Sequence, residues 1–110
     1  MIKLKIAIVS SNGVDVDLHL GKGNSIYIYE YDDGDLSFTE HREIDIDAED
    51  KHQWSKVRMA CKDCDVIISL QFGFKSKIKA NELNIKLVTD EGSVDEVLKN
   101  YIDHYNFMND

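Results

Sequence analysis

The first third of the chain carries the two-residue period of β-strands. Apolar side chains alternate with other residues from Ile2 to Ile8 and continue into Val9, which predicts a strand over residues 2–9 that is fully buried at its far end. The next residues, 10–25, contain three glycines among Ser, Asn, Asp and His residues. This composition predicts a long ordered loop, and loops of this length are usually functional or mobile.

A β-hairpin is predicted after this loop. Residues 26–31 are rich in Ile and Tyr, which favour strands because their side chains pack well on a pleated surface. Residues 32–35 supply a turn of Asp and Gly, and alternation resumes from Leu36 to Ile46. Two such segments separated by a turn predict a pair of antiparallel strands.

The middle of the chain predicts a helix. Asp47 or Asp50 can cap it by accepting hydrogen bonds from the first backbone N–H groups. Its apolar positions have helical spacing, and they are Trp54, Val57 and Cys61. The helix is expected to end near Asp63.

Two short apolar runs and a second helix follow. Residues 65–70 form a continuous apolar run of the kind found in strands buried on both faces of a parallel sheet, and residues 85–89 repeat it. A short Lys-rich helix is predicted between them, at residues 76–83.

The last helix has the clearest signals. Ser93 is followed three residues later by Glu96, which is the spacing of a capping box. The apolar residues after it lie on one helical stripe: Val94, Val97, Leu98, Tyr101, Ile102 and Tyr105. A helix beginning at Ser93 is therefore predicted.

The predicted element order is β-β-β-α-β-α-β-α. It places an antiparallel hairpin on one side of the first strand and parallel crossover units on the other, which gives a mixed five-stranded sheet flanked by helices. A ribonuclease-H-like α/β topology fits this order best. With 110 residues and 43% hydrophobic content, the chain can form one core, so a single domain over residues 1–110 is expected.

Charge and cysteine content narrow the function. The net charge of −8, from 21 acidic and 13 basic residues, would repel phosphate backbones, so a nucleic-acid partner is not expected. No apolar run approaches the roughly 20 residues that cross a bilayer, so no membrane association is expected. The two cysteines lie three residues apart and cannot form a disulfide framework, which favours a reducing cytoplasm.

Three predicted loops should meet at one edge of the sheet, since ligands in open α/β sheets bind beyond the carboxyl ends of the parallel strands. These loops are residues 10–25, 71–76 and 90–93. Their polar residues and glycines are Asn12, Asp15, Asp17, His19, Gly21, Lys22, Gly23, Gly73, Lys75, Ser76, Asp90, Glu91 and Gly92. Convergence of such groups is what a binding site requires.

His19 is the candidate ligand in the first loop. Imidazole suits Fe, Zn, Cu or Ni, and a glycine-flanked loop lets backbone N–H groups approach an anionic cluster whose charge Lys22 and Lys75 would offset. The alternative is a solvated loop histidine that binds nothing. Asp15 could hold a ring N–H of a liganding His19.

Three stretches of the sequence resemble the dinitrogenase iron–molybdenum cofactor-binding family, which includes nitrogenase cofactor carriers. The first is Gly13-Val-Asp-Val-Asp-Leu-His-Leu-Gly21, which lies between two strands. The second is Cys64-Asp-Val-Ile-Ile68, and the third is Glu91-Gly-Ser-Val-Asp-Glu-Val-Leu98 followed by Tyr101. They occur in the family's order and together span most of the chain.

The resemblance implies a ribonuclease-H-like fold without catalysis. It also implies binding of an iron–sulfur-type or iron–molybdenum-type cluster, or its precursor, with His19 as the candidate ligand. Asn12, Gly21, Lys22, Gly73 and Lys75 are the other candidate binding residues at this edge. A carrier of this kind would exchange its cluster with donor and acceptor proteins.

Cys61 and Cys64 are a second candidate metal site. Their spacing puts them on one face of a helix end, where two thiolates could bind zinc or an iron–sulfur cluster. However, they lie at the C-terminal end of the predicted helix, where the dipole opposes a thiolate. Buried structural cysteines are the favoured interpretation.

Enzymatic alternatives find little support in the sequence. A two-metal nuclease needs clustered carboxylates, but residues 2–9 contain no acid. No Ser or Cys occupies a recognisable nucleophile elbow beside a His. The remaining hypotheses are a cluster carrier or metal-binding domain, and a protein-interaction or regulatory domain of the same fold with no bound cofactor.

Overall fold

The computed structural model describes residues 3–20, 24–32, 34–44, 57 and 59–109, without the side chains of Lys3, Lys75 and Asn109. Within these ranges the strands are β1 (Lys3–Val9), β2 (Asp15–Val16), β3 (Ser25–Asp32), β4 (Asp35–Glu43), β5 (Val66–Ser69), β6 (Lys86–Thr89) and β7 (Gly92–Ser93). The helices are α1 (Phe74–Glu82) and α2 (Val94–Asn109).

Five of the strands form one mixed sheet in the order β4-β3-β1-β5-β6. β3 is antiparallel to both β1 and β4, whereas β5 is parallel to β1 and β6 is parallel to β5. This confirms the predicted sheet and its ribonuclease-H-like strand order. β2 and β7 were not predicted, and they form a separate two-stranded ladder.

The sheet separates two apolar clusters. The cluster on the α2 side contains Leu4, Ile6, Ile8, Val16, Val66, Ile68 and the buried residues of α2. The cluster on the α1 side contains Ala7, Val9, Leu20, Ile26, Ile28, Val57, Cys61, Cys64, Ile67, Ala80 and Ile85. Because β1 and β5 are central, their alternate residues are buried on opposite faces, which explains their high apolar content.

The helices agree with their sequence signals to within a few residues. The Ser93 Oγ accepts a hydrogen bond from the Glu96 N–H at 3.2 Å, which confirms Ser93 as the cap of α2. α1 begins at Phe74, two residues before the predicted start. The backbone N–H of Cys61 donates to the Val57 carbonyl at 3.0 Å, as expected for the end of the predicted middle helix, most of which lies outside the described residues.

β4 departs from its alternating sequence pattern. Every one of its residues is exposed except the partly buried Arg42, although alternation predicted one covered face. The reason is its position, since β4 is the outermost strand of the sheet, beyond the reach of either described helix.

Candidate functional site

The first loop is held in shape by its own polar side chains. The Asn12 Oδ1 accepts hydrogen bonds from the backbone N–H groups of Val14, at 2.8 Å, and Asp15, at 3.0 Å. The buried Ser10 Oγ accepts one from the Gly13 N–H at 2.9 Å and donates to the Asp15 carbonyl. The side-chain carbonyl of Asn12, a candidate binding residue, therefore stabilises a turn of the kind that Asn favours.

Gly13 is required at this turn for two reasons. Its φ is +76°, a conformation that strains residues with a side chain. In addition, a Cβ at this position would lie 2.7 Å from Cε1 and 2.8 Å from Cζ of Tyr27. The loop backbone therefore packs directly on the Tyr27 ring.

Asp17 closes the loop against its beginning. Its carboxylate accepts hydrogen bonds from Ser11, one from the backbone N–H at 2.9 Å and one from the hydroxyl. Desolvation raises the pKa of Asp17, but the hydrogen bonds from Ser11 together outweigh it, and the net shift is downward. Asp17 is thus ionised and engaged within the loop.

The first loop is bonded to both of the other loops. On one side, β2 pairs with β7, and the Val94 N–H donates to the Val14 carbonyl at 2.7 Å. On the other side, the Leu20 N–H donates to the Gln71 carbonyl at 2.8 Å and the Leu70 N–H to the Leu18 carbonyl at 3.0 Å. The predicted convergence of three loops at one edge of the sheet is therefore present in the structure.

Two buried apolar residues hold the first loop in place where it crosses this edge of the sheet. Val16 is buried in the cluster on the α2 side, and Leu20 is buried in the cluster on the α1 side. Residues 17–19 therefore pass over the end of the sheet from one face to the other. The segment that contains His19 is therefore held by apolar packing on both faces of the sheet.

His19 is half-buried and forms a parallel bridge with Gln71. Gln71 also lines a depression of about 360 Å³ together with Leu70, Thr89, Asp90 and Glu91. The depression lies at the carboxyl ends of β5 and β6. The His19 backbone thus pairs with a residue that lines a concave surface, at the edge where α/β sheets bind ligands.

The other predicted binding residues are only partly described. Gly21 and Lys22 lie outside the described residues. Gly73 is exposed and immediately precedes α1, and Lys75 belongs to α1 but its side chain is not described. Described carboxylates in the three loops belong to Asp15, Asp17, Asp90 and Glu91.

Cys61 and Cys64 are not brought together with His19. Both are buried, and they precede the start of β5, whereas Gln71 and His19 lie beyond its end. The hydrogen bond with Cys64 and burial raise the pKa of the Cys61 thiol well above its ordinary value.

An ion-pair cluster covers this cysteine pair. Arg42 donates two hydrogen bonds to the Asp63 carboxylate, at 2.8 and 2.9 Å, and a third to the Ala60 carbonyl. Lys5 Nζ lies 2.7 Å from Asp63. The hydrogen bonds from Arg42 lower the pKa of Asp63 well below its usual range, against the opposing effect of desolvation.

Sequence reasoning missed a second cavity at the same edge of the sheet. It has a volume of about 590 Å³ and is lined by Ser11, Asn24, Ser25, His41, Glu43 and Ile44. His41 stacks on Tyr27 with ring centroids 4.2 Å apart, and its Nε2 lies 2.6 Å from the Ser25 Oγ. His41 is exposed, and its register opposite Tyr27 in the hairpin accounts for this contact.

Two further classes of feature are absent from the part of the chain that the structure describes. No group of three or more His, Cys, Asp and Glu side chains there is arranged to hold a metal ion. Neither of the described helices combines the length and the apolar character needed to span a membrane.

Comparison with solved structures supports the fold. The chain is similar to the crystal structure of PH0822, with a TM-score of 0.75, 18% identity and 92% of each chain covered. It is also similar to a Methanocaldococcus jannaschii protein provisionally named a dinitrogenase, with a TM-score of 0.66 and 18% identity over 94% of this chain and 92% of the other.

Sequence comparison identifies the family. A search of curated proteins finds no significant match. The profile of the family described as dinitrogenase iron–molybdenum cofactor matches residues 2–104, which includes all three converging loops. The chain therefore belongs to the dinitrogenase iron–molybdenum cofactor family.

Proposed function

We propose that this chain is a non-catalytic carrier that binds an iron–molybdenum-type or iron–sulfur cluster, or its precursor, at the edge formed by the three loops. The observation that carries the proposal is the first loop, which is hydrogen-bonded to both other loops and in which His19 is bridged to Gln71, a residue that lines the depression. Membership of the family supports a cluster as the cargo.

The proposed ligands suit a cargo that must later be released. His19 would supply one imidazole nitrogen, a good ligand for iron. Lys22 and Lys75 would offset the negative charge of the cluster, and backbone N–H groups near Gly21 would add hydrogen bonds. A cluster held by few protein ligands can be transferred, whereas a closed set of thiolates would retain it.

Anaerobic loading tests the proposal. The purified chain is incubated with isolated iron–molybdenum cofactor, desalted, and analysed for iron and molybdenum by mass spectrometry. We expect the wild-type chain to retain both metals and His19→Ala to lose at least about 90% of them, because the loss of a direct ligand removes the main bond to the cargo. Circular dichroism checks that the variant is folded.

His104→Ala is the matched control. His104 is exposed on α2 and lines a different cavity with Leu4 and Tyr101, so its removal should leave metal retention unchanged. Equal retention by wild type and His19→Ala would exclude His19 as the ligand. A wild-type chain that retains no metal would instead favour the alternative of an interaction domain without a cofactor.

A further inference from the structure

α1 buries small side chains and exposes large apolar ones. Ser76 and Ala80 face the core, with 8% and 1% of their surface exposed, whereas Phe74 and Ile78 are 78% and 45% exposed. A helix rotates about 100° per residue, so Phe74 and Ile78 lie within about 40° of each other, on roughly the opposite side from the buried pair. Surface helices of globular proteins normally bury their large apolar residues, and this helix exposes them.

The exposed apolar pair lies on a locally basic helix. Lys77 and Lys79 are exposed in α1, and Lys75 is a third lysine of the same helix, against a single acidic residue, Glu82. The chain as a whole has a net charge of −8. The surface formed by Phe74, Ile78 and Lys77, called the α1 face below, therefore combines exposed apolar side chains with positive charge on a chain that is acidic as a whole.

The α1 face adjoins the candidate cluster site. α1 begins directly after Gly73, and Gln71, two residues earlier, is bridged to His19. A protein docked on the first turn of α1 would thus reach the edge where the three loops meet.

We propose that the α1 face is the docking surface for a partner protein that offers an apolar groove bordered by carboxylates. Phe74 and Ile78 are spaced as the anchors of a helix that docks into a groove, and acidic groups at the rim would complement the lysines. That this partner donates or accepts the cluster rests on the proposed function, whereas the docking itself does not.

A second copy of the chain fits the α1 face poorly. A two-fold contact repeats the same surface on both subunits, so pairing α1 with its copy would bring the lysines of the two helices together. Like charges across an interface disfavour binding. Charge repulsion therefore disfavours a two-fold pairing of α1 with its copy.

Photo-crosslinking followed by affinity measurement tests this inference. The full chain carrying Phe74→p-benzoylphenylalanine is expressed in its native cells, irradiated, and the crosslinked protein is identified by mass spectrometry. That protein is then purified, and its Kd is measured by fluorescence anisotropy. We expect Phe74→Ser/Ile78→Ser to raise the Kd about tenfold or more, since buried anchors dominate binding energy.

Charge and position controls sharpen the measurement. Lys77→Glu/Lys79→Glu should also weaken binding, and the wild-type affinity should fall at high salt because the lysine contacts are screened. Phe107→Ser is the matched control, because Phe107 is 81% exposed at the end of α2. It should leave the Kd unchanged, and thermal denaturation should show all variants folded.

Several outcomes would overturn the docking surface. The first is that no protein is crosslinked. The second is that crosslinks form only to a second copy of the chain or to lipid. The third is that Phe74→Ser/Ile78→Ser leaves the Kd of the purified partner unchanged. Light scattering and sedimentation with phosphatidylglycerol vesicles identify the self-association and lipid outcomes. If the wild-type chain retains no metal but the partner depends on Phe74 and Ile78, the cargo is refuted and the docking surface stands.

Discussion

β5 begins and ends in segments of opposite character. Before it, Cys61 and Cys64 are buried, and Asp63 is held by Arg42 and Lys5. After it, residues 70–73 join the loop that carries His19, and a depression of about 360 Å³ opens beside them. The same four-residue strand therefore separates the cysteine and ion-pair cluster from an edge where three loops meet beside a depression.

The two ends of β5 carry the two candidate sites for a cluster, the cysteine pair before the strand and His19 beyond its end. Cysteine is the more familiar cluster ligand, but in this chain the buried cysteine pair lies at the opposite end of β5 from the three loops. Histidine is a weaker signal in the sequence, but its position at the carboxyl ends of parallel strands is where such sheets bind ligands. We therefore propose His19 rather than the cysteine pair as the ligand.

The largest expected effect comes from distorting the first loop, which follows β1 and meets the end of β5. Gly13→Ala combines a strained positive φ with a Cβ only 2.7 Å from the Tyr27 ring, and we expect it to lower the free energy of unfolding by about 3 kcal/mol. Urea denaturation measures this. Gly34→Ala is the control, since φ there is +89° but no atom lies within 4 Å, and it should cost about 1 kcal/mol. Equal costs would mean that the Tyr27 contact is unimportant.

The second-largest expected effect is a loss of stability at alkaline pH, and it comes from Cys61, before the start of β5. The pKa of Cys61 is raised above its ordinary value of 9.0, so the unfolded chain ionises this thiol first, and stability is lost as the pH rises past that value. The free energy of unfolding should fall between pH 8 and pH 10 by about 1.4 kcal/mol more in wild type than in Cys61→Ala. Parallel pH profiles would show that the Cys61 thiol ionises normally in the folded chain.

A smaller effect is expected from the ion pairs at the same end. Asp63→Asn removes the paired hydrogen bonds to Arg42 and should cost about 1 kcal/mol at neutral pH, since the carboxylate is partly exposed. Because the pKa of Asp63 is lowered from 3.8, this stabilisation is present above that pH and disappears as the pH falls through the folded value. Urea denaturation at several pH values should show the two chains converging in acid, and Asp103→Asn controls for the change of charge.

No change in cluster loading is expected when both cysteines are removed, which makes this the smallest of the effects. Cys61→Ala/Cys64→Ala should retain iron and molybdenum as wild type does, because the pair lies at the opposite end of β5 from His19. The same anaerobic loading and metal analysis measures this. Loss of metal in a folded double variant would show that the thiols are ligands after all and would reverse the contrast between the two ends.

Only part of the site could be predicted, because some of its contacts depend on the register of segments that pair after folding. That the first loop meets the other two follows from the carboxyl ends of parallel strands, and the sequence pattern is enough to infer it. The bridge between His19 and Gln71, and the contact between His41 and Ser25, depend on the register of distant segments. Register is set by the packing of the whole sheet, so no local pattern reports it.

The sequence by itself determined the strand order, the buried character of β1 and β5, and the Ser93 cap of α2. These follow from residue spacing and from hydrogen bonds between near neighbours, which are local properties of the chain. Only the tertiary structure decided that Asn12 shapes the loop and that α1 exposes Phe74 while burying Ala80. Each of these depends on which surfaces meet after the chain folds, and burial and charge neighbours exist only then.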